Sequence, residues 1–222
     1  MDIKLNVEQI KQEIEKLRTK LNITYKIKIC AATKYVKAYE INLLLDAGIK
    51  DLGENRVQDF LVKAEALKER DINWHFIGHL QTNKVKSMIN KIKYLHSLDR
   101  ESLAKAVNKY RSSVLECYVE VNCSKEESKH GLAEDEVIPF IKDLAKYDKI
   151  KVIGLMTMAE NTSDKNVIRS NFQLLKKLQQ EVEQLNLPYA PCKELSMGMS
   201  NDFIIAIEEG ATIVRIGSRL FK

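Results

Sequence analysis

The sequence has few prolines, glycines and cysteines, and it contains no long apolar run. Only three prolines and eight glycines occur in 222 residues, and we find no interior linker, low-complexity tract or short repeat. No apolar run approaches the length of a membrane-spanning helix, so we expect no membrane partner. The four cysteines show no metal-type spacing, and we expect them to be reduced thiols rather than disulfides: Cys30, Cys117, Cys123 and Cys192.

Charge is plentiful and mixed. Charged residues make up 30% of the chain and hydrophobic residues 45%, which is typical of a globular protein. The net charge of +5 is modest, and the basic residues are scattered among acids, so no nucleic-acid partner is expected. One basic run lacks the interleaved aromatics of a nucleic-acid site and indicates a solvated helix face. Residues 1–20 are charged and helical in pattern rather than a signal peptide, which predicts a cytoplasmic protein.

Strand-like and helix-like segments alternate along the whole chain. We predict eight strands, each except the last followed by a helix, at residues 26–33, 51–53, 74–77, 94–98, 114–121, 151–156, 193–196 and 211–216. A doubly wound open sheet also alternates strand and helix. Eight units, with glycine- and serine-containing turns after the last two strands, favour an α/β fold with one closed (β/α)₈ TIM barrel over residues 1–222. An extra N-terminal helix should cover the lower mouth or the flank of the barrel.

The first predicted strand is followed directly by a lysine that could be reactive. Residues 27–33 form an apolar run typical of a buried parallel strand, and Lys34 comes at its carboxyl end. A lysine that is partly desolvated there would favour the neutral amine, which is a nucleophile able to form a Schiff base. A strand-end lysine that simply reaches water is the ordinary alternative.

Two turns near the other end of the chain are suited to a phosphate. Ser200 is predicted to be a helix N-cap with Asp202 in the first turn, and Gly217 and Ser218 leave the backbone open to an approaching anion. Either turn alone could be an ordinary cap. Two in succession, opposite a strand-end lysine, are more specific.

The remaining candidate residues also follow strands. Because the carboxyl ends of barrel strands share one rim, where active sites of such barrels lie, we expect these residues to be close together. They are Lys34, Asn55, His79, Ser97, Asn122, Met156, Met158, Ser196, Ser200, Arg215, Gly217 and Ser218.

A Schiff-base lysine together with a phosphate cradle indicates pyridoxal 5′-phosphate (PLP). The aldehyde would join Lys34, and the phosphate would rest on the turn at Gly217 and Ser218 with the Ser200 hydroxyl. Arg215 would face the pyridine nitrogen, where a permanently charged guanidinium weakens the ring as an electron sink. A structural ion pair is the alternative role for Arg215.

The chain resembles the pyridoxal phosphate homeostasis proteins, which are similar to the barrel domain of alanine racemase. The resemblance covers nearly the whole chain, and its motifs are Ala-Thr-Lys at 32–34, Gly-Glu-Asn-Arg-Val-Gln at 53–58, the run at 74–84, Gly-Leu-Met-Thr-Met at 154–158, Leu-Ser-Met-Gly-Met-Ser at 195–200 and Arg-Ile-Gly-Ser at 215–218. The resemblance implies that PLP is carried on Lys34, and it assigns further cofactor-binding roles to Asn55, Met199, Ser200, Arg215, Gly217 and Ser218.

The same resemblance implies cofactor carriage rather than strong catalysis. Alanine racemase has a second domain that supplies a catalytic tyrosine, and no such domain is expected after Phe221, so we expect a monomer that buffers PLP and supplies client enzymes. A racemase of low activity is the alternative function, and a nucleic-acid- or protein-binding module is a third. The sequence leaves open the roles of His79, Lys129 and Lys222.

Overall fold

The computed structural model describes residues 2–126 and 129–221, and Lys222 lies outside the described residues. Eight parallel strands close into a barrel in which each strand pairs with its sequence neighbours and β8 pairs with β1. The predicted (β/α)₈ barrel is therefore confirmed, and the open doubly wound sheet is excluded. The strands are β1 (Lys28–Ala32), β2 (Asp51–Glu54), β3 (Asn73–Phe76), β4 (Tyr94–Leu98), β5 (Leu115–Glu120), β6 (Ile150–Met156), β7 (Glu194–Ser196) and β8 (Ile213–Ile216).

Helices surround the barrel and cover its outer face. They are α1 (Ile3–Lys20), α2 (Ala38–Asp46), α3 (Val57–Ala66), α4 (Val85–Met88), α5 (Glu101–Tyr110), α6 (Val137–Asp143), α7 (Lys165–Gln184) and α8 (Phe203–Glu208). Two of the predicted helices are broken by 3₁₀ turns, which flank α4 and α6. Among the described residues no helix is long and apolar enough to cross a membrane.

The N-terminal helix completes the helical ring rather than adding to it. Helix α1 packs against α2, which follows β1, and against α8, which follows β7. That is the place between neighbours that a helix following β8 would fill in a regular barrel. Its buried residues, Ile3, Val7, Ile10 and Ile14, recur at helical spacing and face this groove. The expectation of a helix on the flank is met, and its position shows why that face is apolar.

Two separate packed regions form the core. The larger one fills the space between the strands and the helices, where α7 contributes a buried stripe that includes Phe172, Leu175 and Val182. The smaller cluster joins side chains from β1, β4, β5, β6 and β8, which can meet only inside the closed barrel. All four cysteines are buried free thiols, as expected, and burial raises their pKa values, which keeps them unreactive.

Candidate functional site

A cavity of about 780 Å³ opens at the carboxyl ends of β1, β6, β7 and β8. Its volume is in the range of small-molecule sites. Six of the seven predicted cofactor-binding residues line it, together with Lys129 from the loop after β5: Lys34, Met199, Ser200, Arg215, Gly217 and Ser218. The topology therefore joins residues that are more than 180 positions apart in sequence.

The segment before Lys34 is anchored by a buried ion pair. Lys63 on α3 donates to the Thr33 carbonyl at 2.7 Å and to Glu54 Oε1 at 2.5 Å, and the Thr33 hydroxyl donates to the same carboxylate oxygen at 2.5 Å. Glu54 and Thr33 are fully buried. The rim loop that carries Lys34 thus starts from a fixed point.

The side chain of Lys34 itself is exposed, so the expectation of partial desolvation is wrong for this structure. Strand β1 ends at Ala32, two residues before the lysine, and the next residue, Tyr35, turns the chain with a φ of 65°. Lys34 therefore lies on the rim loop at the edge of the cavity rather than on the buried strand.

The two phosphate-type turns are tied to each other. The backbone N–H of Gly217 donates to the Ser200 hydroxyl at 3.2 Å, and Arg215 N–H donates to the Gly198 carbonyl at 2.9 Å. In the described chain the backbone N–H groups of Ser200 and Ser218 have no hydrogen-bond partner. These unpaired donors at a cavity wall are suited to an anion.

The predicted N-cap role of Ser200 is wrong. Helix α8 begins at Phe203 and its N-cap residue is Asp202, whose carboxylate accepts from the Met199 N–H at 2.5 Å. The residues between form a turn that closes before the helix starts, so the Ser200 hydroxyl is directed to the β8 turn instead. Asp202 was placed inside the helix from sequence, and its role in closing this turn was missed.

Gly217 is not required by the packing of the protein. A Cβ at this position would lie 3.4 Å from the Ala32 carbonyl oxygen and 3.5 Å from the Ala32 Cβ, which are ordinary contacts. Its φ is not in the left-handed region. A bare backbone here therefore leaves room on the cavity side without serving the fold.

Arg215 lies in the barrel interior beneath the cavity. Its side chain is 4% exposed, and it donates to the Ser196 hydroxyl at 2.6 Å and to the Thr157 carbonyl at 2.8 Å. Burial lowers its pKa, while Glu120 and Asp202 act in the opposite direction. No carboxylate contacts the guanidinium directly in the described chain, so the simple ion-pair alternative does not describe it.

Several predicted rim residues are not part of this cavity. Asn55 does not line it, although its Oδ1 is buried and has no hydrogen-bond partner in the described part of the chain. Asn122 bonds within its own loop and lines a different cavity.

The other predicted rim residues differ in their surroundings. The His79 ring stacks on the His130 ring with 4.1 Å between centroids, and His79 Nδ1 is 3.8 Å from Asp99. Met158 does line the cavity, whereas Met156, Ser97 and Ser196 are buried in or at the ends of their strands.

Lys129 lines the cavity from the opposite side. Its Nζ donates to the Ala159 carbonyl at 2.9 Å and pairs with Glu126. Lys129 is therefore held at the rim by two contacts rather than extended into solvent.

Glu120 was not selected from sequence, although it ends β5 at the same rim. It is 4% exposed, and burial raises its pKa to about 7, with the neighbouring Asp99 adding to the shift and Arg215 and Arg100 opposing it. A carboxylate at the end of a strand is the signal that could have identified it. Glu120 is therefore a buried acid that keeps its proton up to about neutral pH.

We expect Glu120→Gln to stabilise the protein at pH 8. Because the native pKa is raised above the ordinary glutamate value of about 4.5, the folded state keeps a proton that the unfolded state loses, so stability falls as pH rises between about 4.5 and 7. The raised pKa corresponds to about 3 kcal/mol at pH 8 and to much less at pH 5. Urea unfolding at both pH values measures it, with the exposed Glu69→Gln as control. An equal effect at the two pH values would contradict this account.

The fold and this rim define a class: a (β/α)₈ barrel with a lysine after β1 and two anion-suited turns after β7 and β8. A family model described as "Alanine racemase, N-terminal domain" matches residues 5–222. An alanine racemase from Clostridium difficile has the same fold, with a TM-score of 0.79 and 14% identity, and the match covers 99% of this chain and 56% of that one.

Closer relatives identify the family. A pyridoxal phosphate homeostasis protein of Aquifex aeolicus is 42% identical over 200 residues, which cover 87% of this chain and 86% of that protein. The structure of PipY from Synechococcus elongatus with PLP bound has a TM-score of 0.81 and 27% identity, covering 94% of this chain and all of that one. The chain belongs to the pyridoxal phosphate homeostasis protein family.

Proposed function

We propose that this protein binds PLP in the cavity at the carboxyl ends of β1, β7 and β8 and serves in PLP homeostasis as a carrier. One observation carries the proposal: Lys34 and the two tied turns at Ser200 and Gly217 line a single cavity. An amine and an anion cradle at one site are the two groups that an aldehyde phosphate needs.

The donor set supports this ligand. The unpaired N–H groups of Ser200 and Ser218, with the hydroxyls of both residues, would hold the phosphate. Lys34 Nζ would hold the aldehyde covalently. Asn55, with its buried and unpaired Oδ1, would line the ring from the neighbouring strand end, and Met199 would contact it from the β7 turn.

Arg215 supports carriage over strong catalysis. When bound, PLP supplies a conjugated ring that withdraws electrons from a substrate carbon. A permanently charged guanidinium donates to an unprotonated ring nitrogen and so weakens that withdrawal. The Ser196 and Thr157 contacts hold Arg215 at the cavity floor for this role.

The proposal extends to the cellular location and the oligomeric state of the protein. We propose that the protein acts in the cytoplasm as a monomer and passes PLP to client enzymes. The four buried free cysteines support an intracellular setting. Amino-acid turnover that Lys34→Ala abolishes would contradict a purely carrying role and favour a racemase of low activity.

We expect the phosphate to account for much of the affinity. Charge-assisted hydrogen bonds contribute about 1.5–3 kcal/mol each, so pyridoxal, which lacks the phosphate, should bind roughly 10- to 100-fold more weakly than PLP. Absorbance titration of the wild-type protein with each compound measures the ratio. Ser200→Ala should weaken PLP binding and leave pyridoxal binding unchanged. Equal affinities for the two compounds would refute the cradle at Ser200 and Gly217.

A further inference from the structure

A continuous line of buried polar side chains crosses the barrel interior. Asp51 Oδ1 lies 3.0 Å from His75 Nε2, His75 Nδ1 lies 2.8 Å from His96 Nε2, and His96 Nδ1 lies 2.9 Å from the Ser196 hydroxyl. The Ser196 hydroxyl in turn accepts from Arg215 at 2.6 Å. We call these five residues the interior relay. It runs from the amino end of β2, where Asp51 borders a second cavity, to Arg215 below the rim.

The hydrogen-bond direction in the interior relay is determined by its two ends. A carboxylate only accepts, so His75 must carry its proton on Nε2 and accept on Nδ1. His96 Nε2–H must then donate to His75, which leaves His96 Nδ1 to accept from the Ser196 hydroxyl. Arg215 only donates, and Ser196 accepts from it. Every bond therefore points from Arg215 toward Asp51, with both imidazoles neutral in the Nε2–H form.

The surroundings hold this arrangement. Burial lowers the pKa of both His75 and His96, which keeps them neutral. The His75 ring stacks on Tyr94 with 4.3 Å between centroids, and the His96 ring stacks on Tyr118 at 4.2 Å. Burial raises the pKa of Asp51, but the bonds from His75 and Asn73 and the charge of Lys28 outweigh it and leave that pKa low. Asp51 is thus an anion at the far end of the line.

We propose that Asp51, through His75, His96 and Ser196, positions Arg215 for the cofactor ring, so that a carboxylate at one mouth of the barrel tunes the site at the other. The inference rests on the proposed function, since it takes Arg215 as the group that faces the ring nitrogen. Asp51 is a positioning residue that does not touch the cofactor site. Without the Asp51 carboxylate as its acceptor, His75 can carry its proton on Nδ1 instead of Nε2. The hydrogen bonds from His75 to Arg215 then no longer have a fixed direction.

The first test concerns the interior relay alone and needs no cofactor. The chain contains four histidines, so ¹⁵N-histidine labelling gives four imidazole spectra, assigned with His79→Gln and His130→Gln. We expect two buried rings in the Nε2–H form in wild-type protein and a change of tautomer in at least one of them in Asp51→Ala. An Nδ1–H ring in the wild type, or unchanged tautomers in Asp51→Ala, would overturn the proposal.

The second test measures PLP binding at the cofactor site. In Asp51→Ala we expect PLP to label Lys34 after borohydride reduction, as it does in the wild type. The visible band of the bound cofactor should shift, and the affinity for PLP should fall roughly three- to tenfold, which is the effect of one hydrogen bond. Asp51→Asn keeps an acceptor oxygen and should recover most of the affinity. If the alanine variant does not fold, the tautomers of the two buried imidazoles in wild-type protein still test the proposal, because an Nδ1–H ring would overturn it. Asp71→Ala, at an exposed carboxylate of the same barrel end, is the control and should bind as the wild type does.

The outcomes separate the two hypotheses. Expected tautomers with no labelling of Lys34 in wild-type protein would refute the proposed function and leave the interior relay as a structural feature. Labelling of Lys34 with an unchanged band and affinity in Asp51→Ala would retain the proposed function and refute the positioning role.

Discussion

Lys34→Ala should reduce borohydride-trapped labelling of the protein by PLP to background. The side chain lines the cavity beside the two anion-suited turns and makes no hydrogen bond in the described chain. Because it is exposed, its removal should change the free energy of unfolding by less than about 0.5 kcal/mol. The loss of labelling therefore reports the loss of the attachment point and not unfolding. Peptide mapping of reduced wild-type protein should locate the adduct on Lys34.

Two other lysines provide the comparison. Lys37, three residues further on, is exposed and does not line the cavity, so Lys37→Ala should label as the wild type does. Lys129 lines the same cavity from the opposite side, so Lys129→Ala tests whether it competes for the aldehyde. An adduct that maps to Lys129 in the wild type, or labelling that persists at the same stoichiometry in Lys34→Ala, would remove Lys34 from the proposed site.

Gly198→Ala should be the most damaging small substitution in the β7 turn. Gly198 has a φ of 92°, and a Cβ there would lie 2.5 Å from the Ala206 Cβ and 3.0 Å from the Phe203 Cα. The left-handed backbone costs about 1–2 kcal/mol for a residue with a Cβ, and overpacking against α8 adds about 1–3 kcal/mol. We expect a loss of about 2–5 kcal/mol in the free energy of unfolding, with weaker PLP binding as the turn moves.

Gly210 provides a matched control for the energetic cost of a left-handed backbone. Its φ is 97°, and a Cβ there would meet nothing closer than 3.8 Å, so Gly210→Ala carries the strain without the clash. Urea unfolding of the two variants should differ by the clash with α8, about 1–3 kcal/mol. Equal losses would mean that α8 yields easily and that the turn at Gly198 is not held by packing.

Much of the architecture could be predicted from local patterns. The apolar runs of β1 and β6 are buried between layers on both sides and carry few polar residues, and the stripe of α7 recurs at helical spacing. Both signals arise from neighbours within a few residues. For the same reason the boundaries moved: β1 ends at Ala32 rather than at residue 33, since strand ends depend on pairing with β2 and β8.

The composition of the candidate site was also largely predictable. Strand-end residues share a rim in any closed barrel, so Lys34, Ser200 and Gly217 could be brought together from strand order alone. Among the seven predicted cofactor-binding residues Asn55 is the exception, because the path of each loop decides which rim residues face one cavity. Glu120 was missed because the burial that raises its pKa, and the charges around it, depend on two other segments of the chain, which carry Asp99 with Arg100 and Arg215.

The chain's periodicity and its strand-end residues determined the barrel and the kind of ligand its rim would suit, because each depends on short-range pattern and on the order of the strands. The exposure of Lys34, the cap at Asp202 and the interior relay were decided only by the tertiary structure. In the sequence His75 and His96 are ordinary strand residues. The closed barrel turns both inward, where 2.8 Å separates their ring nitrogens and where, among the residues that the structure describes, the only hydrogen-bond partners of the two rings are each other, Asp51 and Ser196. A buried polar group must find its partner across strands, and that requirement is met only when the barrel has closed.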